Sequence, residues 1–222
     1  MNSLTLIIPA KKEKESLPSV LEELKNFKFK KKIILEETDI ETIESIKDYD
    51  CEVIFQKGRG YGNALIEGLN STDSDLFCIF NADGSFNPNE IKNMINKLEN
   101  ENLDFVFASR YQKNAGSEDD TIVTLVGNYI FTFLGRFFFK LPITDILYTF
   151  VLGRTISVKK LGLNSSDFTF CVELPVKINR NNMKMRSISS FERKRISGFK
   201  KVNAFKDGLK ILIKMIILFQ KN

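Results

Sequence analysis

The sequence predicts an α/β protein with three layers, in which helices cover both faces of a mostly parallel sheet. Short apolar runs alternate with helix-type patterns over the first half of the 222 residues. Runs such as Leu4–Ile8 and Leu76–Phe80 are apolar throughout, as strands are when both faces are buried. Polar or glycine-rich loops follow these runs, at the edge where parallel sheets place their ligands. One domain with a C-terminal amphipathic helical extension accounts for the length.

Five strands are predicted, each an apolar run bounded by polar residues. They cover residues 4–8, 32–35, 52–55, 76–80 and 105–108. Apolar residues at helical spacing follow Ser16-Leu17-Pro18, the segment 36–38 and the glycine-rich segment 58–62, and predict a helix after each. After the fourth strand, Asn87 is predicted as a helix N-cap with Pro88 at the first helical position.

The pattern changes beyond Asp120. Residues 121–139 predict a long, unusually apolar helix, whose aromatic residues we interpret as core, with an interface as the alternative. Three further segments are a helix around 171–180, a basic loop over 192–201 and an amphipathic helix over 204–219. We assign residues 1–202 to the main α/β unit and 203–222 to a membrane-surface helix of the same domain.

The composition excludes several kinds of chemistry. The chain has no histidine, so a general base or metal ligand must be a carboxylate, amide, hydroxyl, thiol or backbone group. Serine–histidine catalysis is therefore excluded, and oxygen ligands favour Mg²⁺ or Mn²⁺ over Zn²⁺. The three cysteines are scattered and indicate a reducing compartment rather than a disulfide framework.

Charge is distributed unevenly along the chain. Residues 177–222 contain 13 Lys and Arg and two acidic residues, a net charge of +11. Residues 1–176 contain 20 Lys and Arg and 26 acidic residues, a net charge of −6. This pattern predicts an anionic partner, which we expect to be an anionic membrane surface. No nucleic acid is expected, because no basic–aromatic recognition motif accompanies the charge. No signal peptide or stretch long enough to span a membrane is expected, so the predicted location is cytoplasmic, peripheral on the inner face of the membrane.

Two loops contain candidate ligand-binding groups. Asn81 and Asp83 follow the central strand, and Asp83 is the only carboxylate of its turn. It could hold a metal or simply form the turn. Glycines 58–62, with Lys57 and Arg59, could present backbone amides and cations to an anion at a helix N-terminus, or form a tight turn.

Read together, these segments resemble family 2 glycosyltransferases of the GT-A fold, in the branch of polyprenyl-phosphate (dolichol-phosphate) mannosyl- and glucosyltransferases. The resemblance extends from Leu4 to about Leu212. The segments that carry it are LTLIIPA at 4–10 with Glu13, QKGRGYGNALIEGL at 56–69, FNADGSFNP at 80–88, ASRY at 108–111, GSEDD at 116–120, ITD at 143–145, FTFCVELPVK at 168–177 and ERKRISGFKKVNAFKDG at 192–208.

The resemblance implies a UDP- or GDP-linked sugar donor bound across the carboxyl ends of the strands. The implied donor-binding residues are Pro9, Ala10, Glu13, Glu36, Lys57, Gly58, Gly60, Asn81 and Ala82. The Asn81-Ala82-Asp83 turn stands where the family has its Asp-x-Asp motif, so Asp83 and Asn81 would hold Mg²⁺ or Mn²⁺ on the diphosphate.

It also implies a lipid-linked acceptor, a polyprenyl phosphate. The basic residues expected around the leaving diphosphate or the acceptor phosphate are Arg110, Arg193, Lys194, Arg195, Lys200 and Lys201. A phosphate acceptor needs no strong base, whereas a hydroxyl acceptor would need one, with Asp145 or Glu173 as candidates. Asp145 is alternatively a helix N-cap and Glu173 a structural ion-pair partner.

The chain departs from the family pattern at four places. Asn81 replaces a charged ligand, Glu36-Glu37-Thr38 replaces a pair of aspartates, Lys12 stands before Glu13 in place of asparagine, and residues 121–128 lack an expected arginine. The alternatives are therefore a glycosyltransferase acting on a sugar hydroxyl in cell-surface polysaccharide or glycolipid synthesis, and a catalytically weak nucleotide-sugar-binding subunit.

Overall fold

The computed structural model describes residues 2–198 and 203–220. The strands in the described part of the chain are β1 Leu4–Pro9, β2 Lys30–Leu35, β3 Glu52–Phe55, β4 Leu76–Ile79, β5 Phe105–Ser109, β6 Gly116–Ser117, β7 Val151–Arg154, β8 Met185–Ser189 and β9 Phe191–Glu192. The helices are α1 Leu17–Glu23, α2 Ile40–Ser45, α3 Tyr61–Ser71, α4 Glu90–Asn100, α5 Ile122–Phe139, α6 Thr155–Val158, α7 Phe170–Arg180 and α8 Ala204–Gln220, with a short 3₁₀ turn at Leu24–Asn26.

Seven of these strands form one sheet, in the order β3-β2-β1-β4-β7-β5-β8. β1 pairs in parallel with β2 and β4, with Ile7 opposite Ile79, and β5 pairs in parallel with β8. β7 runs antiparallel to both of its neighbours, β4 and β5. The two-residue strands β6 and β9 pair separately. The mostly parallel sheet is confirmed, and its one reversed strand lies near the middle.

The core divides into two halves, one on each face of the sheet, because successive strand residues point in opposite directions. Leu6 and Ile8 of β1 pack in one half, with residues of α1 and α4. Ile7 of the same strand packs in the other, with residues of α3, α7 and α8. The predicted three layers are therefore present.

All five predicted strands exist, but the N-cap prediction for Asn87 is wrong. Helix α4 begins at Glu90. The Asn87 side chain instead accepts a hydrogen bond from the backbone N–H of Asn89 at 3.0 Å, and Pro88 lies in the turn before the helix. The Asn87 side chain therefore stabilises the turn that precedes the helix, not the first turn of the helix itself.

Helix α5 matches its predicted bounds, with Thr121 as its N-cap in a capping box with Thr124. The core interpretation of its aromatic residues holds for Phe139 and is wrong for the exposed Tyr129, Phe133, Phe137 and Phe138. The buried side of α5 consists of Asn128, Thr132, Gly135 and Phe139. The opposite side, which carries most of the apolar surface, is exposed.

The expectation that no stretch is long enough to span a membrane is also wrong. By length and composition alone, α5 is long and apolar enough to span a membrane. Within the protein, 22% of it is buried. The C-terminal helix α8 is present as predicted and packs against α5 and α7. Ile211, Met215 and Leu218 place one side of α8 in the core.

Candidate active site

The loops that follow β1, β4 and β5 meet at one edge of the sheet, because these strands are parallel in direction. At the centre of this edge is the turn after β4. The Asp83 Oδ1 atom accepts a hydrogen bond from the Ser85 backbone N–H at 3.0 Å, and Asn81 Nδ2 donates to Ser85 Oγ at 3.3 Å. These bonds fix the turn. The side-chain oxygens of the turn that remain suited to a cation are Asp83 Oδ2 and the amide oxygen Oδ1 of Asn81.

A second segment, residues 193–198, lies across this turn, and we name it the strap. The backbone N–H of Ile196 donates to the Asp83 carbonyl oxygen at 2.8 Å. The Ile196 side chain packs on Gly84, where an added Cβ would lie 2.5 Å from Ile196 Cδ1. Gly84 also has φ +82°, so a side chain here would be strained as well as crowded. The strap therefore depends on a glycine in the central turn.

Arg195 of the strap faces the central turn. Its Nη1 atom lies 3.6 Å from Asp83 Oδ2, and its guanidinium donates two hydrogen bonds to Asp119, at 3.1 and 2.8 Å. The hydrogen bonds to Asp119 raise the pKa of Arg195, and Asp83 raises it further. The bidentate pair fixes a permanent cation next to the carboxylate that is the predicted metal ligand.

The donor set of the central turn fits Mg²⁺ or Mn²⁺. No group of three or more acidic, histidine or cysteine side chains suited to a metal occurs among the described residues. A magnesium site commonly uses one or two protein carboxylates and completes its shell with water and substrate phosphate oxygens. Asp83 and Asn81 can supply one carboxylate and one amide oxygen, so the metal would need a bound diphosphate to complete its coordination.

Arg110, after β5, lies at the centre of a buried ionic network. It donates to Asp145 from Nε at 2.8 Å and from Nη2 at 3.1 Å, and to Glu192 from Nη1 at 3.1 Å. Asp120 lies 3.4 Å from Nη1, and the Tyr148 ring 4.5 Å from the guanidinium carbon. Burial alone would lower the pKa of Arg110, but the neighbouring carboxylates raise it. The network thus joins β5 to the segments that flank the strap.

This geometry favours a structural role for Arg110 and Asp145. Arg110 would reach a phosphate only if these pairs opened. Asp145 is fully buried, and burial raises its pKa although Arg110 opposes the shift. Its N-cap alternative is wrong, because the residues that follow it form no helix. Both of its carboxylate oxygens accept hydrogen bonds from Arg110, so in this conformation it cannot serve as a general base.

Glu173 supports a loop and is fully buried. Its Oε2 atom accepts hydrogen bonds from the backbone N–H groups of Asn164 and Ser165, and Oε1 pairs with Lys177 at 2.9 Å and Lys214 at 3.5 Å. Burial would raise the pKa of Glu173, but the hydrogen bonds from Lys177 and the two amides lower it. The ion-pair interpretation of Glu173 therefore fits the structure.

The glycine-rich segment is less open to an anion than predicted. The backbone N–H groups of Lys57 and Gly58 both donate to the Glu67 carboxylate, each at 2.9 Å. Gly60 has φ +102°, as a tight turn requires, and a Cβ on Gly62 would lie 2.0 Å from the Ser165 carbonyl oxygen. The amides of Lys57 and Gly58 are thus already used, and the prediction that they bind an anion is not met in this conformation. The side chains of Lys57 and Arg59 remain exposed.

The residues predicted to bind the base and ribose of the donor lie at or just after the ends of β1 and β2. Glu13 is largely buried and accepts a hydrogen bond from Ser16 Oγ at 2.6 Å, while Glu36 pairs with Lys11 at 2.9 Å. Pro9 ends β1, and Ala10 and Ala82 are buried at the same edge of the sheet. A cleft of about 300 Å³ opens there, lined in part by Lys11, Lys12, Glu36 and Asp39.

One predicted phosphate-binding group, Arg193, does not join the central cluster. Arg193 pairs with Glu23 through two hydrogen bonds, at 2.8 and 2.9 Å, so its charge is directed away from Asp83. Lys200 and Lys201 lie outside the described residues. Four residues of the site were not predicted: Asp119, Asp120, Tyr148 and Glu192. The opposite charges of residues 118–120 and 193–195 could have indicated Asp119, whereas no pattern pointed to Tyr148.

The comparison with known families decides the class of this protein. The model of glycosyl transferase family 2 matches residues 5–162, well over half of the chain. The chain belongs to glycosyl transferase family 2. The family predicted from the motifs is confirmed, although the match does not distinguish its branches.

Solved structures show the same fold. Glucosyl-3-phosphoglycerate synthase from Mycobacterium tuberculosis, in complex with Mn²⁺, UDP and glucosyl-3-phosphoglycerate, is similar with a TM-score of 0.77 and 12% identity, over 99% of this chain and 80% of that one. The same enzyme with Mg²⁺ and UDP has a TM-score of 0.72 and 13% identity, over 99% of this chain and 80% of that one. A mycobacterial protein has a TM-score of 0.77 and 11% identity, over 99% of this chain and 75% of that one. These likenesses confirm the GT-A fold of this family 2 glycosyltransferase.

Proposed function

We propose that this glycosyltransferase moves a sugar from a nucleoside-diphosphate donor to the phosphate of a lipid-linked acceptor, a polyprenyl phosphate. The observation that carries the proposal is the central turn, where Asp83 and Asn81 share one sheet edge with Arg195. A diphosphate brings negative charge that grows as it leaves, and this edge supplies a cation and two oxygen ligands for a metal. A UDP-linked sugar is the first donor to test, because the structure of the M. tuberculosis synthase contains UDP.

The metal in this proposal is Mg²⁺ or Mn²⁺, held by Asp83 and Asn81. When bound, such an ion neutralises charge on the diphosphate oxygens. Arg195 would place a second positive charge there once a donor competes with Asp83 and Asp119 for its guanidinium. Glu36 borders the cleft that would take the base and ribose, and the buried Glu13 follows the lining residues Lys11 and Lys12 on the same loop.

The state of the two base candidates supports a phosphate acceptor. Asp145 is bound to Arg110, and Glu173 is bound to two amides and two lysines. A sugar hydroxyl needs a base to remove its proton, whereas an ionised phosphate oxygen is already nucleophilic. A site whose buried carboxylates are both occupied therefore suits phosphate better than a hydroxyl.

The proposed step is a direct displacement. An oxygen of the acceptor phosphate forms a bond to the anomeric carbon, and the bond from that carbon to the donor diphosphate breaks. The electron pair of the broken bond leaves with the nucleoside diphosphate. Because the acceptor oxygen attacks the face opposite the leaving group, the configuration at the anomeric carbon is inverted. All three cysteines are free thiols, which fits a reducing compartment, and we place the enzyme at the cytoplasmic face of a membrane.

The test offers the purified protein UDP- and GDP-linked sugars, with and without Mn²⁺, and follows thermal stabilisation and then transfer. The acceptors are undecaprenyl phosphate, 3-phosphoglycerate and a soluble sugar. Metal-dependent transfer to the lipid phosphate is the expected result. Transfer only to a hydroxyl acceptor would refute the phosphate-acceptor proposal, and donor binding without transfer to any acceptor would favour a nucleotide-sugar-binding subunit.

A further inference from the structure

Two adjacent helices, α5 and α8, expose many apolar side chains. Among the described residues, most exposed large apolar side chains lie on α5 and α8. On α5 they are Ile122, Val123, Val126, Tyr129, Ile130, Phe133, Phe137 and Phe138. On α8 they are Phe205, Leu209, Leu212, Ile213, Ile216, Ile217 and Phe219. Soluble monomers rarely expose so large an apolar surface without a partner for it.

The two sets form one surface, which we call the two-helix face. The rings of Phe138 on α5 and Phe219 on α8 lie 5.5 Å apart. Phe137 contacts Phe138 at 5.0 Å and Phe133 at 5.9 Å, which continues the aromatic surface along α5. A helix of 17 or 18 residues is roughly 25–27 Å long, so the face is extended in one direction.

Most exposed charges on this face are positive, although Lys210 pairs with Asp167 at 3.2 Å. Exposed cations at or beside it are Arg136, Lys140, Lys206 and Lys210. Within the described ranges of α5 and α8 the single acidic residue is Asp207, which is buried and accepts a hydrogen bond from the Asn203 backbone N–H. Two copies of this face would bring like charges together, whereas anionic lipid headgroups would neutralise them.

We propose that the two-helix face docks on the surface of an anionic lipid bilayer, with α5 and α8 lying in the plane of the interface. The sequence predicted membrane attachment through the C-terminal segment and left open whether the apolar helix 121–139 also lies at the bilayer surface. The exposed side of α5 adds eight apolar side chains to the seven of α8, so α5 provides at least half of the contact. Apolar burial with basic residues at the border gives reversible, salt-sensitive attachment.

A peripheral position suits α5 better than a spanning one. One side of α5 is packed on the protein, and Thr132 Oγ1 accepts a hydrogen bond from the Ile146 backbone N–H at 3.2 Å. At its start, Asp120 accepts a hydrogen bond from the Tyr111 hydroxyl at 2.7 Å. A spanning helix would have to leave both contacts.

The face also begins at the rim of the active site. The Tyr111 and Tyr129 rings lie 4.8 Å apart, and Asp120 neighbours Arg110 at 3.4 Å. Docking would therefore bring the rim close to the headgroups. The docking proposal does not depend on the proposed reaction, because vesicle binding is measured without a donor.

The experiment measures co-sedimentation of the full chain with phosphatidylcholine vesicles, alone or with about 30% phosphatidylglycerol, at low and high salt. The α5 variant combines Phe133→Glu and Phe137→Glu, two positions 64% and 67% exposed, and the α8 variant is Leu209→Glu, at 60%. The control is Ile156→Glu on α6, a site 67% exposed and outside the face. Unchanged thermal unfolding confirms that each variant folds.

The wild type and control are expected to bind anionic vesicles and to be released by salt, and each face variant should partition at least roughly tenfold less. Equal partitioning of the α5 variant and the wild type would overturn the role of α5. Equal binding to neutral and anionic vesicles would overturn the lipid charge requirement. A dimer that the α5 variant dissociates, without vesicle binding, would assign the face to a second copy. Protein that resists an alkaline carbonate wash would indicate a spanning helix instead.

Discussion

Arg195 should compete with a metal ion for Asp83 in the protein without donor. Its Nη1 atom lies 3.6 Å from Asp83 Oδ2. At that distance two unit charges attract by roughly 1 kcal/mol in water and by roughly 4–5 kcal/mol at an effective dielectric constant of 20. The guanidinium is partly exposed and also paired with Asp119, so we take a value near the lower end.

Removing this competitor has opposite effects on binding and on catalysis. Arg195→Ala should bind Mn²⁺ about tenfold more tightly without donor, since roughly 1.4 kcal/mol corresponds to a factor of ten. The same variant should lose turnover, because a cation that would face the leaving diphosphate is gone. Arg195→Lys keeps the charge but loses the two-pronged contact with Asp119, so it should also turn over more slowly.

The assay is calorimetric titration of the apo protein with Mn²⁺, followed by turnover measurements. Arg193→Ala is the matched control, because Arg193 pairs with Glu23 rather than with Asp83. The reasoning would be refuted by an Arg195→Ala protein that binds Mn²⁺ no better than wild type. An equal gain in Arg193→Ala would show that the effect is general electrostatics.

Four other substitutions test the site and its support. Asp83→Ala should abolish transfer and metal-dependent donor binding while thermal unfolding is unchanged, whereas Asn81→Asp should keep or raise activity; near-full turnover of Asp83→Ala would contradict the assignment. Arg110→Met leaves buried carboxylates unpaired and should lower the free energy of unfolding by roughly 3–5 kcal/mol in urea titrations; a loss of turnover at unchanged stability would instead favour phosphate binding. The pKa of Glu173 is lower in the folded protein than in the unfolded chain. Glu173 therefore stabilises the fold above its unfolded pKa, and this contribution is lost as the pH falls through the folded pKa. Glu173→Gln should make the free energy of unfolding depend less on pH in this acidic range.

The parallel strands and the central turn were predictable because their signal is local. The run at β4 is apolar on both faces, and a polar turn follows it directly. β7 was missed because its four residues are short and include Gly153, and because its pairing partners come from distant segments. β8 alternates exposed and buried residues at its start, so it gives no buried-strand signal.

The pairings of charged side chains were not predictable for a related reason. Arg110 was correctly placed at the sheet edge, but its partners Asp145 and Glu192 are 35 and 82 residues away in sequence. The exposure of α5 was misjudged because an apolar helix gives the same pattern in a core and on a docking surface. Only the packing of its small and polar side against the protein distinguishes the two.

The reversed strand β7 determines when the sheet can be completed during synthesis. It joins residues 76–78 to 105–107, yet it comes from residues 151–154. Until that segment emerges, the facing edges of β4 and β5 both present unpaired backbone groups in what becomes the middle of the molecule. A chain that stops before Val151 should therefore have two open edges and aggregate, while one that continues past Arg154 can close the gap.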